Sequence, residues 1–252
     1  MKILYFTSTG NNLYIAKNLG GELLSIPQLI KENIYDLSDD AIGIIFPVFY
    51  ANAPKIVRDF IEKARFKTDY LFLIASYGSD GDQNAFKILK KAFKKKGLKV
   101  SYTNSVLMVD NYLPMFDMAE EKEIKDDCEI DNQIQVIKED IESRKEFHLN
   151  KKSFTDVPFI EKVLESTMSK RFHIIVGDGC SDCKVCARIC PKGNIDLSGE
   201  KPAIGDDCLF CLGCVHHCKE NVFTINNEKN SQERFSNPHI KVSEIIKSNN
   251  VL

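Results

Sequence analysis

The stretch KILYFTSTGNN, residues 2–12, places a short apolar run directly before a polar loop that is rich in hydroxyl groups. Residues 2–6 fit a buried strand, and residues 11–20 fit a helix that stops at Gly20 and Gly21. A loop between a strand and a helix directs backbone N–H groups and the positive end of the helix dipole toward one point. The stretch therefore predicts an anion-binding loop at the start of an α/β sheet.

Strands and helices continue to alternate along the next 140 or so residues, by the periodicity of their apolar positions. Further strands are predicted at GELLSI (21–26), AIGIIF (41–46), YLFLIAS (70–76) and LKVSYTNSVLMV (98–109), and helices at 54–64, 84–96 and 118–147. The unbroken apolar run AIGIIF is typical of a central parallel strand that is covered on both faces. The pattern predicts a doubly wound, parallel, five-stranded sheet with helices on both faces.

The composition argues against two classes of partner. The formal net charge of −2 over 252 residues gives no field that would attract nucleic acid. No apolar run approaches the roughly 20 residues needed to span a bilayer, and the start MKILYF becomes polar too soon for a signal peptide. We therefore expect a cytoplasmic protein with no membrane and no nucleic-acid partner.

Eight of the nine cysteines lie between Cys180 and Cys218. Cytosolic thiols stay reduced, so this density predicts a cofactor rather than disulfides. The segments CSDCKVCARICP (180–191) and CLFCLGCVHHCK (208–219) both have the spacing C-x2-C-x2-C-x3-C, and the second repeats the first 28 residues later. The ninth cysteine, Cys128, is interpreted as a plain thiol beside the apolar stripe of a helix.

This spacing is typical of two [4Fe-4S] clusters, because three cysteines on one loop bind one cubane and the fourth ligates the other. The predicted ligands are Cys180, Cys183, Cys186 and Cys218 for the first cluster, and Cys190, Cys208, Cys211 and Cys214 for the second. Two structural zinc ions are the alternative, although zinc sites use two separated pairs of cysteines. His216 and His217 are then expected to form a polar rim beside a cluster whose ligand places are filled.

Two more loops follow predicted strands, FPVFYANAP (46–54) and SYGSDGD (76–82). In an open parallel sheet, loops at the carboxyl ends of the strands form the ligand crevice. The chain has neither a lysine-containing P-loop nor a dinucleotide fingerprint at residues 2–12, which leaves a monophosphate held by hydroxyls and amides. That is typical of an FMN site, and a hydroxyl-rich helix cap with nothing bound is the alternative.

The three loops together resemble the flavodoxin family, through T-x-T-G-N-x, P-x-x-Y-x-x-x-P and Y-G-x-x-G. The resemblance covers roughly residues 1–150 and implies bound FMN and a sheet in the order 2-1-3-4-5. By position it assigns the phosphate to Thr7, Ser8, Thr9, Gly10, Asn11 and Asn12, and the flavin ring to Pro47, Val48, Phe49, Tyr50, Asn52, Ser76, Tyr77, Gly78 and Gly81. The segment NYLP (111–114) either lines the gap between flavin and cluster or forms a plain turn.

The segment 173–226 resembles bacterial two-cluster ferredoxins, which implies a small α+β domain and low-potential electron transfer. The whole chain resembles the flavodoxin–ferredoxin fusion proteins of anaerobic bacteria and archaea. We accordingly predict an FMN-binding domain at 1–150, a linker with a short helix at 151–172, the ferredoxin domain at 173–226, and a tail with a short helix at 227–252.

Fusion of a flavin module to two clusters suggests a relay of single electrons within anaerobic redox metabolism, with redox proteins as donor and acceptor. The first alternative is an FMN- and iron–sulfur-dependent reductase of a small substrate. The second is a module that senses redox state or oxygen by losing its clusters.

Six lysines between residues 90 and 99 predict a solvated helix face, with a docking patch for an acidic redox partner as the alternative.

Overall fold

A computed structural model describes residues 1–151, 157 and 159–252, so part of the predicted linker lies outside the described residues. The first part of the chain forms β1 (Lys2–Tyr5), α1 (Asn11–Leu19), β2 (Glu22–Ser25), α2 (Ile26–Lys31), β3 (Asp36–Ser38), β4 (Ala41–Pro47), α3 (Lys55–Lys63), β5 (Arg65–Lys67), β6 (Tyr70–Tyr77), α4 (Asp82–Lys95), β7 (Tyr102–Leu107), α5 (Met118–Ile124), α6 (Asp127–Glu142) and β8 (Phe147–His148). The second part forms α7 (Ile160–Arg171), β9 (Ile174–Val176), α8 (Val185–Ile189), β10 (Ile195–Asp196), β11 (Ala203–Ile204), α9 (Gly213–His216), β12 (Phe223–Ile225) and α10 (Val242–Asn249). Within the described part of the chain, no helix combines the length and the apolar character that crossing a bilayer requires.

The main sheet contains six parallel strands in the order β2-β1-β4-β6-β7-β8. The prediction of five strands was wrong, because the sheet has a sixth strand, β8, at its edge. This strand is only two residues long and pairs with Tyr102 and Thr103 of β7. Strands β3 and β5, also not predicted, form a separate two-stranded sheet. Because the main strands are parallel, the loops that follow β1, β4, β6 and β7 meet at one edge of the sheet.

Two apolar layers cover the central strand β4 on its opposite faces. Ile42 and Ile44 pack into the layer that contains residues of α3 and α4, whereas Ala41 and Ile45 pack into the layer that contains residues of α1 and α6. Gly43 lies between these positions, where Phe72 of β6 fills the space that a side chain would need. Full burial of an isoleucine stabilises a fold by roughly 2 kcal/mol, so the two layers fix the sheet that carries the loops.

The predicted single helix over residues 118–147 is two helices, α5 and α6, so that prediction was wrong. The chain leaves helical geometry at Lys125, and the Asp126 carboxylate then caps α6 by accepting a hydrogen bond from the Cys128 N–H at 2.9 Å. Asp117 caps α5 in the same way. The isoleucine stripe that indicated a helix is buried as expected, at Ile130, Ile134, Ile137 and Ile141.

The two cysteine loops share one backbone conformation, which the sequence repeat alone did not reveal. Asp182 and Lys184 have positive φ angles of 52° and 60°, and Phe210 and Leu212, which follow 28 residues later, have the same two values. Left-handed conformations at these non-glycine residues curl each loop tightly around its central cysteine. Each loop then enters a short helix, α8 or α9, and the antiparallel pairs β9–β12 and β10–β11 complete a small α+β unit.

The C-terminal tail is packed into the body of the protein. Helix α10 contacts α2 of the first part of the chain and α8 of the cysteine segment, and it buries Ile245 and Ile246. The hydroxyls of Ser248 and Tyr5 are hydrogen-bonded at 2.8 Å. The tail therefore joins the sheet and the cysteine unit into one core.

Candidate functional site

A cleft of about 230 Å³ lies at the carboxyl edge of the main sheet. Its walls are the loops that follow β1, β4, β6 and β7, one side of α7, and the second cysteine loop. Twelve of the fifteen residues predicted for FMN line it: Thr7, Ser8, Thr9, Asn11, Asn12, Pro47, Val48, Phe49, Tyr50, Ser76, Tyr77 and Gly78. The three loops that the sequence analysis selected therefore lie around one cavity.

The other three predicted residues, Gly10, Asn52 and Gly81, do not line the cleft. Asn52 closes a tight turn, in which it exchanges two backbone hydrogen bonds with Phe49. Gly81 has φ +98°, and an added Cβ would lie 2.8 Å from the Cα of Ala51 in that turn. These residues shape the loops that carry the cleft-lining side chains, and Gly10 packs against the C-terminal tail.

Residues 7–12, the anion loop, present unused hydrogen-bond donors. No described residue accepts a hydrogen bond from the backbone N–H of Ser8 or Thr9, although both residues are buried. Asn12 donates its amide to the Phe6 carbonyl at 2.8 Å, which leaves its side-chain oxygen buried and unpaired among the described residues. Buried polar groups are normally satisfied, so the free N–H groups fit a bound anion, while the Asn12 oxygen offers an acceptor that suits a ligand hydroxyl.

Several cleft residues beyond the end of β7 were not predicted from the sequence, namely Asp110, Met115 and Phe116. Tyr112 lines the cleft as well. Tyr112 belongs to the NYLP segment, whose two interpretations were left open, and its buried hydroxyl lacks a hydrogen-bond partner among the described residues. Apolar residues after a strand carry no motif, so only the fold could assign these positions to the cavity.

The side chain of Asp110 lines the cleft, and hydrogen bonds and close packing fix its position. It accepts a hydrogen bond from the Tyr112 N–H at 3.1 Å, and its own N–H donates to Glu121 at 2.9 Å. Gly78 packs so closely that an added Cβ would lie 2.1 Å from the Asp110 Cβ. Burial raises the pKa of Asp110, the Tyr112 hydrogen bond lowers it, the Glu121 carboxylate raises it and Lys125 lowers it, and the net pKa is about 6. Asp110 can therefore gain or lose a proton near neutral pH.

Replacing Asp110 with asparagine is expected to stabilise the protein more at pH 8 than at pH 5. A carboxyl group whose folded pKa is raised from 3.8 to about 6 destabilises the fold increasingly as the pH rises through that interval. Asparagine removes the charge and keeps an oxygen for the Tyr112 N–H. The expected gain in unfolding free energy is about 3 kcal/mol at pH 8 and about half of that at pH 5.

Thermal unfolding midpoints of wild type and Asp110→Asn at the two pH values measure this difference. Asp69→Asn is the matched control, because Asp69 is exposed and far from the cleft loops in sequence. A shift of the same size at both pH values would contradict the assignment of a raised pKa to Asp110.

Each predicted group of four cysteines lines a cavity of its own. The first cavity is lined by Cys180, Cys183, Cys186 and Cys218, and the second by Cys190, Cys208, Cys211 and Cys214. All eight are free thiols. As the side chains are placed, no group of three or more His, Cys, Asp or Glu residues within the described ranges is arranged to hold a metal ion. A cubane is held by one thiolate at each of four separated corners, and a cavity with four cysteines on its wall fits that requirement.

Burial makes several thiols in these cavities harder to ionise, Cys186 and Cys211 among them. Burial raises the pKa of Cys186 to about 11, and nearby thiols of the same group act in the same direction. Burial likewise raises the pKa of Cys211 to about 12. A bound metal reverses this tendency, because its charge deprotonates a coordinating thiol. The Phe210 N–H also donates to the Cys208 sulfur at 3.4 Å, a contact that favours the thiolate.

Cys211 lies on the wall of both the second cysteine cavity and the cleft. Its neighbours Phe210 and Leu212 line the cleft as well. The ring of Tyr112 lies between the two sides, with its centroid 6.3 Å from that of Phe210 and 6.1 Å from that of Tyr50. The cleft and the second cysteine cavity therefore share a wall.

His216 and His217 are both buried, so the prediction of a polar rim was wrong. The His216 Nδ1 accepts a hydrogen bond from the Phe235 N–H, and its Nε2 consequently donates to the Asn111 carbonyl at 2.8 Å. Burial lowers the pKa of His216 to about 3, so it is neutral at pH 7. His216 fixes the second cysteine loop against the loop that follows β7, whereas His217 hydrogen-bonds to Gly213 of its own loop and to Ser236 of the C-terminal tail.

The chain matches no family model and no curated protein sequence. Among solved structures, Trp repressor binding protein from Bacillus subtilis is 12% identical, and the match covers 42% of this chain and 83% of that one with a TM-score of 0.32. A flavodoxin from the domain Archaea is 18% identical over 54% of this chain and 99% of its own, with a TM-score of 0.32. A flavone reductase is 15% identical over 88% and 85% of the two chains, with a TM-score of 0.31. Similarities at these TM-scores support no conclusion, and the function is therefore argued from the site.

Proposed function

We propose that this chain is an electron-transfer protein that holds FMN in the cleft and two [4Fe-4S] clusters in the cysteine cavities. The observation that carries the proposal is the position of Cys211, which lies on the wall of the second cysteine cavity and of the cleft. Bound there, the clusters carry one electron each and the flavin carries one or two, which is the chemistry that the cofactors supply. The chain would place the two kinds of cofactor on either side of the wall that contains Cys211.

The chain's own residues perform distinct tasks in this scheme. The anion loop offers the N–H groups of Ser8 and Thr9 to the flavin phosphate, next to the positive end of the α1 dipole. Tyr50 and Tyr77 line the cleft where a flat ring would lie. Asp110, with its pKa of about 6, can take up and release a proton beside the same cavity during a reduction that consumes one.

The exposure of the cysteines supports a direction for the transfer. Two of the four cysteines of the first cavity, Cys180 and Cys183, are exposed to solvent, against one, Cys208, in the second cavity, where Cys211 is half-buried against the cleft. A redox partner protein can approach the first cavity from solvent. Electrons would then pass to the second cavity and from there across the shared wall to the cleft.

Cofactor content gives the most direct test. Protein purified without oxygen is expected to contain about eight iron atoms, about eight sulfide ions and about one FMN per chain. Iron, acid-labile sulfide and released flavin are measured on one sample. Colourless protein that contains zinc and no flavin would contradict the proposal.

Loss of one cluster is expected to slow reduction of the flavin. In wild-type protein, photoreduction should fill both kinds of centre, with the iron–sulfur absorbance bleaching before the flavin absorbance. Cys180→Ser and Cys190→Ser, which each remove a predicted ligand, should reduce the flavin more slowly, while Cys128→Ser should behave as wild type because Cys128 lies outside both cavities. Unchanged flavin kinetics in both ligand variants would rule out the relay.

A second candidate is a flavin-dependent reductase of a small apolar substrate. Leu164 and Met168 of α7 and Phe116 give one side of the cleft an apolar wall, and Asp110 supplies a titratable proton beside it. Steady-state assays with quinones, nitro compounds and enones, with dithionite as the electron donor, distinguish the two functions. Turnover that disappears in Asp110→Asn would favour the reductase over the relay.

A further inference from the structure

We propose that residues 236–250, the C-terminal clamp, hold the anion loop in the geometry that binds a phosphate, and that Asn237 and Asn249 are its positioning residues. The inference rests on the proposed function, because it assigns the flavin phosphate to the anion loop. Nothing in the sequence motif of the loop itself indicates this dependence on a segment more than 200 residues away.

Three hydrogen bonds connect the clamp to the anion loop. The Asn249 amide donates to the Thr7 carbonyl at 2.8 Å. The Asn237 backbone N–H donates to the Thr9 carbonyl at 2.8 Å, and its side-chain amide donates to the Asn11 side-chain oxygen at 3.1 Å. Asn237 and Asn249 are both buried, so these bonds form away from competing water.

These bonds determine which way the N–H groups of the loop point. In a trans peptide unit the carbonyl of one residue and the N–H of the next point in opposite directions. Because the clamp draws the Thr7 carbonyl toward Asn249, the Ser8 N–H is directed to the opposite side. Ser8 lines the cleft, and no described residue accepts a hydrogen bond from that N–H. The clamp therefore turns a donor toward the place where an anion would bind.

Gly10 shows how closely the clamp fits the loop. Its φ angle is +103°, and an added Cβ would lie 2.9 Å from the Cβ of Asn237 and 3.2 Å from that of Ile240. Any side chain at Gly10, the residue before α1, would therefore collide with the clamp. This packing leaves the clamp little freedom to shift along the loop.

The clamp is itself anchored at points outside the anion loop. The Ser25 hydroxyl and the Gln28 amide both donate to the Ser248 carbonyl. On its other side, Ile240 and Ile245 share an apolar cluster with Ile189 of α8, the helix that also carries Cys186. Two independent attachments hold Asn237 and Asn249 in place, and one of them runs through the cysteine unit.

The test compares the affinities of FMN and riboflavin, which differ only in the phosphate. Asn249→Ala in the flavin-free full chain is expected to weaken FMN binding about tenfold and to leave riboflavin binding unchanged. Asn237→Ala should weaken FMN binding less, because its backbone bond to Thr9 remains, and it serves as the second variant if Asn249→Ala fails to fold. Asn250→Ala is the control, since among the described residues its side chain accepts a hydrogen bond from Leu252 and has none with the anion loop.

The possible outcomes separate the clamp from the proposed function. A clamp that positions the anion loop affects only ligands that carry a phosphate. If the variants weaken the binding of FMN and of riboflavin equally, or if both keep the FMN affinity of wild type, the proposed role of the clamp is wrong. Wild-type protein that binds neither flavin would overturn the FMN proposal and the clamp with it. Wild-type protein that prefers FMN, with variants that keep the same preference, would overturn the clamp alone.

Discussion

Replacing Gly43 with alanine is expected to lower the free energy of unfolding by about 3 kcal/mol. Gly43 lies in the middle of β4, the strand that is covered on both faces. An added Cβ would lie 2.1 Å from two ring carbons of Phe72, which is fully buried and cannot move without disturbing the neighbouring layer. Denaturant titration of the two proteins measures the difference.

Two further variants make this prediction specific. Gly199→Ala is the control, because an added Cβ there meets only the Lys201 carbonyl oxygen, at 3.5 Å, and should change stability by less than about 0.5 kcal/mol. The double variant Gly43→Ala, Phe72→Leu should be more stable than Gly43→Ala alone, because the smaller side chain vacates the contested space. A double variant with simply additive losses would show that Phe72 is not the cause.

Serine at Cys211 is expected to remove about half of the iron and to weaken FMN binding about tenfold. Cys211 lines both the second cysteine cavity and the cleft. Loss of the proposed cluster would leave the loop around Phe210 without a group at its centre, and Phe210 contacts Tyr112 on the cleft wall. Iron analysis and flavin titration measure the two effects on the same preparations.

Cys183→Ser is the matched comparison, since Cys183 occupies the equivalent position in the first loop, 28 residues earlier, and lines only its own cavity. It should also lose about half of the iron but keep the FMN affinity of wild type. If the two variants weaken FMN binding equally, the shared wall is not the link between the two sites.

The main strands could be predicted because burial on both faces leaves a clear pattern. The run 41–46 is apolar throughout, and it forms the buried strand β4. Strand β8 could not be predicted, because two exposed residues carry no periodicity and pair only where the sheet offers a free edge. The break between α5 and α6 was missed because the isoleucine stripe continues to indicate a helix whether or not Asp126 caps a new one.

Some features of the candidate site could also be predicted from the sequence, and others could not. The hydroxyls and the single glycine of the anion loop, and the regular spacing of the cysteines, are local patterns that can be found in a sequence. The approach of Phe210 to Tyr112, and the presence of Asp110 in the cleft, depend on how two distant segments pack. The left-handed residues beside Cys183 and Cys211 are not glycines, so residue type gave no sign of the tight loops.

The C-terminal clamp has a consequence for biosynthesis. The hydrogen bond from Asn249 to Thr7 joins residues that are 242 positions apart. On a translating ribosome the anion loop emerges first, yet the residue that completes its geometry emerges after the whole cysteine segment. Under the proposed function, a nascent chain therefore completes the anion loop only after the segment proposed to bind iron–sulfur clusters has emerged, and we expect flavin loading to be a late event in maturation.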